Sequence, residues 1–337
     1  MKRTIAAALC VAFSHLPAQA SSIFEPYTSF VALGDSLTDD GKSGTLAPPS
    51  LGGRFSNGIT FAEHIAQDFA ALGRLSVNLA LGGATAGPDN QTVYPDPGAV
   101  LFESFPNQIA TLQNIQLIQP NILGDNPLVS VLFGANDIFQ NLLGGSPLGE
   151  VGRAAADAVA AGVVALSVLD PIFDDFVVIN LPDLSLTPAF AGSPVEFLAQ
   201  QETLAFNDQL AVNIGLLRAQ GLNIIDVDQD AFLRGVLANP GPLGITNTTD
   251  ACTASLTVFS TDNCSFTGEG FDISLADSFV FADSVHPTGP VHAAFADTFR
   301  AAVAASDMSA VPLPAGLPLL VFAVAALGGV AARRRRG

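Results

Sequence analysis

Positive charge is scarce in this sequence. The 337 residues include 13 Lys and Arg against 31 Asp and Glu, which gives a net charge of −18. Six of the basic residues lie close to the two termini, so residues 21–310 carry 7 basic and 31 acidic side chains, a net charge of −24 (7 − 31). A body this acidic repels nucleic acid and anionic membrane surfaces, and we exclude nucleic acid as a partner.

Cysteine is also rare. Of the three cysteines, Cys10 lies in an N-terminal leader-like segment, which leaves Cys252 and Cys264 in a loop rich in Thr, Asn, Asp and Ser. In an oxidising compartment, an even pair in such a loop predicts a disulfide. Because two cysteines without a nearby histidine supply too few ligands for a metal ion, we predict no metal site.

The N-terminus has the features of a secretory signal peptide. Lys2 and Arg3 precede an apolar run over residues 5–13, and residues 18–20 (Ala-Gln-Ala) form the small-x-small pattern that signal peptidase cleaves. The apolar run is too short to span a bilayer as a stable helix. We predict a signal peptide over residues 1–20, with signal peptidase as a partner; the alternative is an N-terminal anchor.

The C-terminus carries a second apolar segment. Residues 311–315 read Val-Pro-Leu-Pro-Ala, and an uncharged run over residues 317–332 precedes four arginines at 333–336. Counted from Leu313, the run is just long enough to cross a bilayer. The arginines would stay in the cytoplasm, which leaves the body of the protein outside that membrane. This topology agrees with the signal peptide.

This tail, residues 311–337, resembles the VPLPA-type sorting signal of bacteria, which is related to PEP-CTERM tails. The resemblance implies a Gram-negative cell and an exosortase-like enzyme that removes the tail during delivery to the cell surface or the medium. Before removal, the tail would anchor the chain transiently in the inner membrane. A plain C-terminal anchor fits the spacing equally well.

Between the termini, short apolar runs alternate with longer helical patterns. We predict strands over residues 30–33, 75–81, 128–133, 176–180 and 222–227, and helices over 60–71, 154–169, 196–220 and 289–305. This alternation predicts a parallel sheet with helices on both faces. Residues 23–308 are expected to form one domain. It includes an irregular insertion over about residues 239–277 and a shorter irregular stretch over residues 87–106.

The residues with chemical potential follow the predicted strands. Ser36 comes just after the first strand, Gly82 and Gly83 after the second, and Asn136 after the third. Because ligands bind beyond the carboxyl ends of the strands of an open parallel sheet, these positions are expected to converge on one site.

A nucleophilic serine needs a base, and the base needs an orienting partner. Outside the signal peptide only three histidines occur, and two of them, His64 and His292, lie in predicted helices. His286 lies in a loop, three residues after Asp283, and the following proline disfavours a helical backbone there. By elimination, we predict Ser36 as nucleophile, His286 as base and Asp283 as its orienter; a structural loop histidine is the alternative.

An ester-cleaving serine also needs hydrogen-bond donors for the oxyanion. The candidates are the backbone N–H of Ser36, where a helix is expected to begin, the backbone N–H of Gly83, and the side-chain amide of Asn136. The glycines have a simpler alternative as tight turns. Asp35 and Asp137 are expected to brace the loops.

Four motifs in this order resemble those of the GDSL/SGNH hydrolases. They are residues 34–39 (GDSLTD), 78–84 (NLALGGA), 134–137 (GAND) and 283–288 (DSVHPT), and the resemblance runs from about residue 28 to 303. Residues 53–58 (GRFSNG) further resemble the branch that contains lecithinase-like and haemolysin-like phospholipases and plant GDSL lipases. The spacing from Asn78 favours Gly83 over Gly82 as the oxyanion donor.

The resemblance implies a flavodoxin-like three-layer α/β/α sandwich around a mostly parallel five-stranded sheet. It also implies an exposed site without a cofactor, and ester substrates such as lipids or short acyl esters. We therefore expect an exported serine esterase or lipase. The alternatives are an O-acyltransferase or a carbohydrate acetylesterase that uses the same site, and a non-catalytic surface binding protein. The insertion with both cysteines departs from the family pattern and could reshape the acyl pocket.

Overall fold

The computed structural model describes residues 23–92, 101–257, 263–264 and 272–310, with the side chains of 307–310 left aside. The predicted signal peptide (1–20) and the predicted sorting tail (311–337) lie outside the described residues. Both therefore stay predictions.

Five parallel strands form the central sheet. They are β1 (Ser29–Gly34), β2 (Leu75–Asn78), β3 (Pro127–Leu132), β4 (Asp175–Ile179) and β5 (Asn223–Val227). Their spatial order is β2-β1-β3-β4-β5, and all four neighbouring pairs are parallel. Every residue of β1 and β3 is buried, as expected for inner strands covered on both faces. The predicted five-stranded sheet is confirmed, in the strand order of flavodoxin-like folds.

Seven helices surround the sheet in the described residues. They are α1 (Phe61–Ala71), α2 (Phe105–Ile118), α3 (Ala135–Asn141), α4 (Glu150–Leu169), α5 (Glu196–Ala219), α6 (Gln229–Ala238) and α7 (Gly289–Ala310). Because parallel crossovers are right-handed, α1, which leads outward from β1 to β2, lies on one face of the sheet. The crossovers through α2, α4 and α5 run the opposite way and cover the other face, while α7 packs beside α1. The result is three layers.

Several sequence-based boundaries were wrong. Strand β2 ends at Asn78 and not at Leu81, because the Asn78 side chain accepts the Ala80 N–H at 2.9 Å and turns the chain. The irregular stretch predicted for 87–106 gives way to α2 at Phe105. Chain irregularity was also overestimated in the insertion over 239–277, which contains β6 (Asn247–Ala251). This strand pairs with β7 (Phe279–Phe281) in a separate two-stranded sheet.

Phenylalanine rings form much of the interior. On the α1 face, the rings of Phe30 and Phe69 stack with centroids 5.5 Å apart. On the other face, Phe105 and Phe133 stack at 4.7 Å, and a Cβ at Gly162 of α4 would overlap the Phe105 ring. Helix α4 is apolar and long enough to cross a membrane by composition. However, one side of it is buried in this core and packs against α2, α3 and α5.

Candidate active site

Three predicted residues meet at the carboxyl edge of the sheet. His286 Nε2 lies 2.8 Å from Ser36 Oγ, and His286 Nδ1 lies 2.8 Å from Asp283 Oδ1. Ser36 belongs to the turn that follows β1, whereas the other two belong to the loop between β7 and α7. The serine, the imidazole and the carboxylate thus form one continuous hydrogen-bonded chain.

The Asp283 carboxylate is held by its own loop. Its Oδ1 also accepts the backbone N–H groups of Val285 at 3.0 Å and His286 at 2.8 Å. Burial alone would raise the pKa of Asp283. The charge of His286 and these hydrogen bonds outweigh that effect, and the pKa lies below its ordinary value of 3.8. The group therefore stays a carboxylate beside the imidazole.

The turn that carries Ser36 is shorter than the sequence indicated. Asp35 O accepts the N–H groups of Thr38 and Asp39, both at 3.0 Å, which closes a single helical turn. The expectation of a helix that begins at Ser36 is wrong, since the first helix after β1 is α1. The Ser36 N–H donates to no acceptor within the described part of the chain, so it is available to a bound substrate.

The two glycines after β2 differ in their hydrogen bonds. The Gly82 N–H donates to Asp39 Oδ2 at 2.9 Å, and a Cβ at Gly82 would overlap the Phe55 ring. The Gly83 N–H has no acceptor among the described residues, and Gly83 adopts a positive φ of 84° that favours glycine. Because only Gly83 has an uncommitted N–H, it stays the predicted oxyanion donor.

Asn136 lies in the first turn of α3, which begins three residues after β3 ends. Gly134 makes this sharp entry with a φ of 122°. The Asn136 side-chain Nδ2 donates to Ala84 O at 2.9 Å. This bond ties the amide to the chain after Gly83 and uses one of its two hydrogens. The other hydrogen can serve a substrate oxygen.

Two buried acids stand beside these donors, and both bond to loop backbone. Asp35 Oδ1 accepts the Leu37 N–H at 3.1 Å, and burial raises the pKa of Asp35 to about 7. The Asp137 carboxylate accepts the N–H groups of Ala86 at 2.8 Å and Gly87 at 3.1 Å. Burial also raises the pKa of Asp137. Both acids hold their loops, as the sequence suggested.

The site lies in a part of the chain that matches a known protein family. Residues 30–299 match the GDSL-like Lipase/Acylhydrolase family. The chain belongs to this family. Because the match covers both Ser36 and His286, the site described above lies wholly inside the GDSL region, and the predicted family membership is confirmed.

Three proteins of known name are similar in sequence to most of this chain. The thermolabile hemolysin of Vibrio parahaemolyticus is 29% identical over 78% of this chain and 60% of its own length. A phosphatidylcholine-sterol acyltransferase of Aeromonas hydrophila is 28% identical over 70% of this chain and 69% of its own. Esterase EstA of Pseudomonas aeruginosa is 27% identical over 86% of this chain and 48% of its own. The chain thus spans only part of each relative.

Among solved structures, a putative GDSL-like lipase from Parabacteroides merdae aligns with 82% of this chain and 95% of its own. Its TM-score is 0.45 and its sequence identity is 16%.

One GDSL-site neighbour was missed by sequence reasoning. The Phe55 ring lies against the His286 imidazole with centroids 4.8 Å apart, and it also covers Gly82. Residues 53–58, which include Phe55, resemble a family motif, but nothing in that motif indicates that the Phe55 ring contacts His286. Phe55 thereby joins the oxyanion side of the GDSL site to the base side.

The two other histidines stand apart from the nucleophile. His64 lies half-exposed on α1, and burial lowers its pKa. His292 on α7 is fully buried; burial lowers its pKa to about 3, so the ring is neutral. Its Nδ1 accepts the Phe61 N–H at 3.3 Å, at the start of α1. Neither histidine competes with His286 for the role of base.

The two cysteines form a disulfide. Cys252 and Cys264 are joined with Cα atoms 5.0 Å apart. The described residues contain no group of three or more His, Cys, Asp or Glu side chains that could hold a metal ion.

Proposed function

We propose that this protein cleaves carboxylic esters, with Ser36 as nucleophile, His286 as general base and Asp283 as orienter. The observation that carries the proposal is the chain of two 2.8 Å contacts from Ser36 Oγ through His286 to Asp283. A nucleophile, a base and a base-orienting group in hydrogen-bond reach are the arrangement that serine hydrolysis requires. Membership of the GDSL family and the relationship to esterase EstA support the same reaction.

In the first half of the reaction, Ser36 Oγ forms a bond to the ester carbonyl carbon while its proton passes to His286 Nε2. The carbonyl oxygen becomes an oxyanion, which the N–H groups of Ser36 and Gly83 and the amide of Asn136 stabilise. The Asp283 carboxylate holds the Nδ1 proton of His286 and stabilises the imidazolium. When the oxyanion collapses, His286 gives its proton to the leaving alkoxide, and an acyl-Ser36 ester remains.

In the second half, a water molecule takes the place of the alcohol. His286 removes a proton from this water as it attacks the acyl carbon, and the same proton then returns to Ser36 Oγ. The products are a carboxylic acid and the free serine. These steps need no group beyond the residues named and water.

Acyl transfer is a second candidate at the same site. It is favoured by the relationship to the Aeromonas acyltransferase, whose name states that activity. Here the hydroxyl group of a sterol or another alcohol replaces water in the second half, and the product is a new ester. Product analysis with and without an added alcohol separates the two reactions.

We further propose that the protein acts outside the cytoplasm on lipid or short acyl esters. The signal-peptide pattern of residues 1–20 and the VPLPA-type tail of residues 311–337 support export and surface sorting. Mass spectrometry of the protein recovered from a Gram-negative host tests both. A mature chain that still begins at Met1 would overturn cleavage by signal peptidase, and a tail still attached would overturn the sorting role.

The catalytic proposal is tested with p-nitrophenyl esters of graded acyl length. Ser36→Ala should lower kcat/KM at least about a thousandfold on every ester turned over, because it removes the hydroxyl group that contacts His286 Nε2. Ser306→Ala, on α7 about five turns from its start, is the matched control and should retain wild-type rates. Equal turnover by wild type and Ser36→Ala, or none by either, would overturn the proposal.

A further inference from the structure

A buried glutamine from α2 reaches the end of β1, two residues before Ser36. Gln108 is fully buried. Its Oε1 accepts the Gly34 N–H at 3.0 Å, and its Nε2 donates to Gly34 O at 2.8 Å. The second Nε2 hydrogen goes to Phe102 O, also at 2.8 Å. One side-chain amide thus binds both backbone polar groups of the last strand residue.

The geometry of the sheet explains why a side chain is needed there. Ala32 O and Gly34 O accept the N–H groups of Leu79 and Leu81, so the polar groups of Gly34 face the β2 side. Strand β2 has already ended at Asn78, and no strand residue accepts the Gly34 N–H. Gln108 supplies the acceptor that β2 no longer provides. An apolar side chain of the same size would leave this buried N–H without a partner.

The turn that carries Ser36 begins directly after Gly34, the last residue of β1. A Cβ at this position would lie 2.9 Å from Leu132 O, so the backbone is packed tightly on its far side as well. Asp35 and Ser36 follow immediately, and the 2.8 Å contact of Ser36 Oγ with His286 depends on where this turn begins. A rotation of the Gly34 peptides would move both Ser36 Oγ and the Ser36 N–H. Displacements near 1 Å are enough to slow an enzymatic reaction about a hundredfold.

We propose that Gln108 is a positioning residue for Ser36, which it holds through the two backbone groups of Gly34. The inference rests on the proposed function, since it assigns Gln108 a part in the same serine chemistry. Gln108 does not touch the substrate. Its effect should therefore appear in the reactivity of Ser36 and not in substrate affinity.

The test compares Gln108→Leu with wild type in ester turnover and in the rate at which a fluorophosphonate labels Ser36. Gln108→Leu should lower kcat and the labelling rate by about 10- to 100-fold per folded site, with KM within about threefold. Gln116→Leu is the matched control. It lies on the same helix, about two turns beyond Gln108, and its amide contacts Asp170 instead of Gly34; its kinetics should match wild type.

Gln108→Glu adds a readout that a purely structural residue would not change. A neutral glutamic acid can accept the Gly34 N–H and donate to Gly34 O, whereas a buried glutamate anion would repel Gly34 O and Phe102 O. Its kcat should therefore approach wild type at low pH and fall, relative to wild type, as pH rises. This variant still decides the question if Gln108→Leu does not fold.

The outcomes separate the two proposals. Wild-type turnover that Ser36→Ala abolishes establishes the serine chemistry on which the Gln108 variants are read. Gln108→Leu with kcat and labelling rate within twofold of wild type would overturn the positioning role alone, and so would a Gln108→Glu pH profile parallel to wild type. An inert wild type that does not react with fluorophosphonate would overturn both proposals.

Discussion

Asp35 keeps a carboxyl group next to the nucleophile in a place that water does not reach. Burial raises its pKa from 3.8 to about 7, so the folded protein retains a proton there that the unfolded chain releases near pH 4. Between these two pH values the folded state binds more protons than the unfolded state. The stability contributed by this proton is fully present below pH 3.8 and is lost as pH rises towards 7.

Replacement of this acid should therefore stabilise the protein in a pH-dependent way. Asp35→Asn keeps the oxygen that accepts the Leu37 N–H but cannot ionise. Relative to wild type, its free energy of unfolding at pH 8 should gain up to about 4 kcal/mol over the difference found at pH 3.5. Urea denaturation at both pH values measures this gain. The exposed control Asp125→Asn should show none, and an Asp35→Asn gain no larger than the control's would contradict the prediction.

Among single residues, the sequence allowed site residues to be predicted only where few residues of the chain can perform the chemistry. Ser36, Asp283 and His286 could be proposed because few histidines exist and only His286 follows an aspartate in a loop. Gln108 and Phe55 could not, because glutamine and phenylalanine have many ordinary uses. Their contacts also join segments that only the folded sheet brings together. The choice of Gly83 over Gly82 rested on spacing, and the hydrogen bond from Gly82 to Asp39 now gives it a physical reason.

A carboxylate from α5 accepts hydrogen bonds from the N-terminus of α4. Glu202 of α5 is buried, and its two oxygens accept the N–H groups of Gly149 at 2.7 Å and Gly152 at 2.8 Å. Both N–H groups belong to the first turn of α4, which no intrahelical carbonyl can satisfy. A negative charge at a helix N-terminus is favourable as well. Glu202 thus joins the two longest helices of the α4–α5 face at their close approach.

Glu202→Gln should lower the free energy of unfolding by about 1–3 kcal/mol, because the amide turns an NH₂ group towards one of these N–H donors. Chemical denaturation followed by far-ultraviolet circular dichroism measures the loss. Glu25→Gln, an exposed site, is the control and should change stability by less than about 0.5 kcal/mol. Equal effects of the two substitutions would show that the Glu202 contacts contribute nothing specific.

Cys252 of the disulfide lies in a segment that hydrogen-bonds to the residues just before Asp283. The N–H groups of Cys252 and Thr253 donate to Phe281 O at 3.0 Å and Ala282 O at 3.1 Å, and Asp283 comes next. The bond joins cysteines 12 positions apart. Closing a loop of about this length stabilises a protein by about 3 kcal/mol. The insertion therefore supports the loop whose Asp283 carboxylate contacts His286.

A thiol reductant should accordingly lower the melting temperature of the wild type, and ester turnover should fall in parallel as the 251–253 segment loosens. Differential scanning calorimetry with and without dithiothreitol checks the first effect. The double variant Cys252→Ser, Cys264→Ser should already melt low and should not respond to the reductant. A wild type that ignores the reductant, or a double variant that still responds, would refute this prediction.

Length alone did not decide which helices could be predicted, since α1 with 11 residues was predicted and α2 with 14 residues was not. Helices α4 and α5 each span at least 20 residues, and their apolar patterns placed them within four residues of the observed ends. Helix α3 has only seven residues and begins three residues after β3 ends, and no helix was predicted there. Strand β6 shows no alternation of buried and exposed residues, because its partner is a three-residue strand far along the chain.

Charge dominates the molecule as a whole. Five of the seven basic residues of the body already form ion pairs, namely Lys42, Arg54, Arg218, Arg234 and Arg300. With 7 basic side chains for 31 acidic ones, the body keeps a large excess of negative charge. At a net charge of −24 the folded state is under self-repulsion, which salt screens. Between 0.1 and 1 M salt the screening length falls from about 10 to about 3 Å.

The melting temperature should therefore rise between 0.1 and 1 M NaCl at pH 8. About 2–4 °C is expected for each kcal/mol of repulsion relieved. Thermal unfolding followed by circular dichroism checks this. Near pH 4.2, the isoelectric point of the full 337-residue chain, the net negative charge and the repulsion are much smaller, and the same salt series should have less effect. A rise of equal size at both pH values would mean that salt acts by a different route.

The flavodoxin-like fold class was predicted at this scale from the resemblance to the family, since alternation alone predicts a parallel sheet and no particular strand order. The convergence of strand ends then followed from the fold class. The sequence could not show which contacts stabilise the carboxyl edge of the sheet, because those contacts come from side chains of helices that pack on it.

The Ser36–His286 contact joins positions 250 apart in the chain, and this separation has a consequence in time. Synthesis runs from the N-terminus, so the serine emerges early and the imidazole only when most of the chain has been made. A ribosome that has completed the first 280 residues has made a sheet edge with a serine but no base to activate it. The order of synthesis thus leaves Ser36 without its hydrogen-bonding partner until most of the chain has been made.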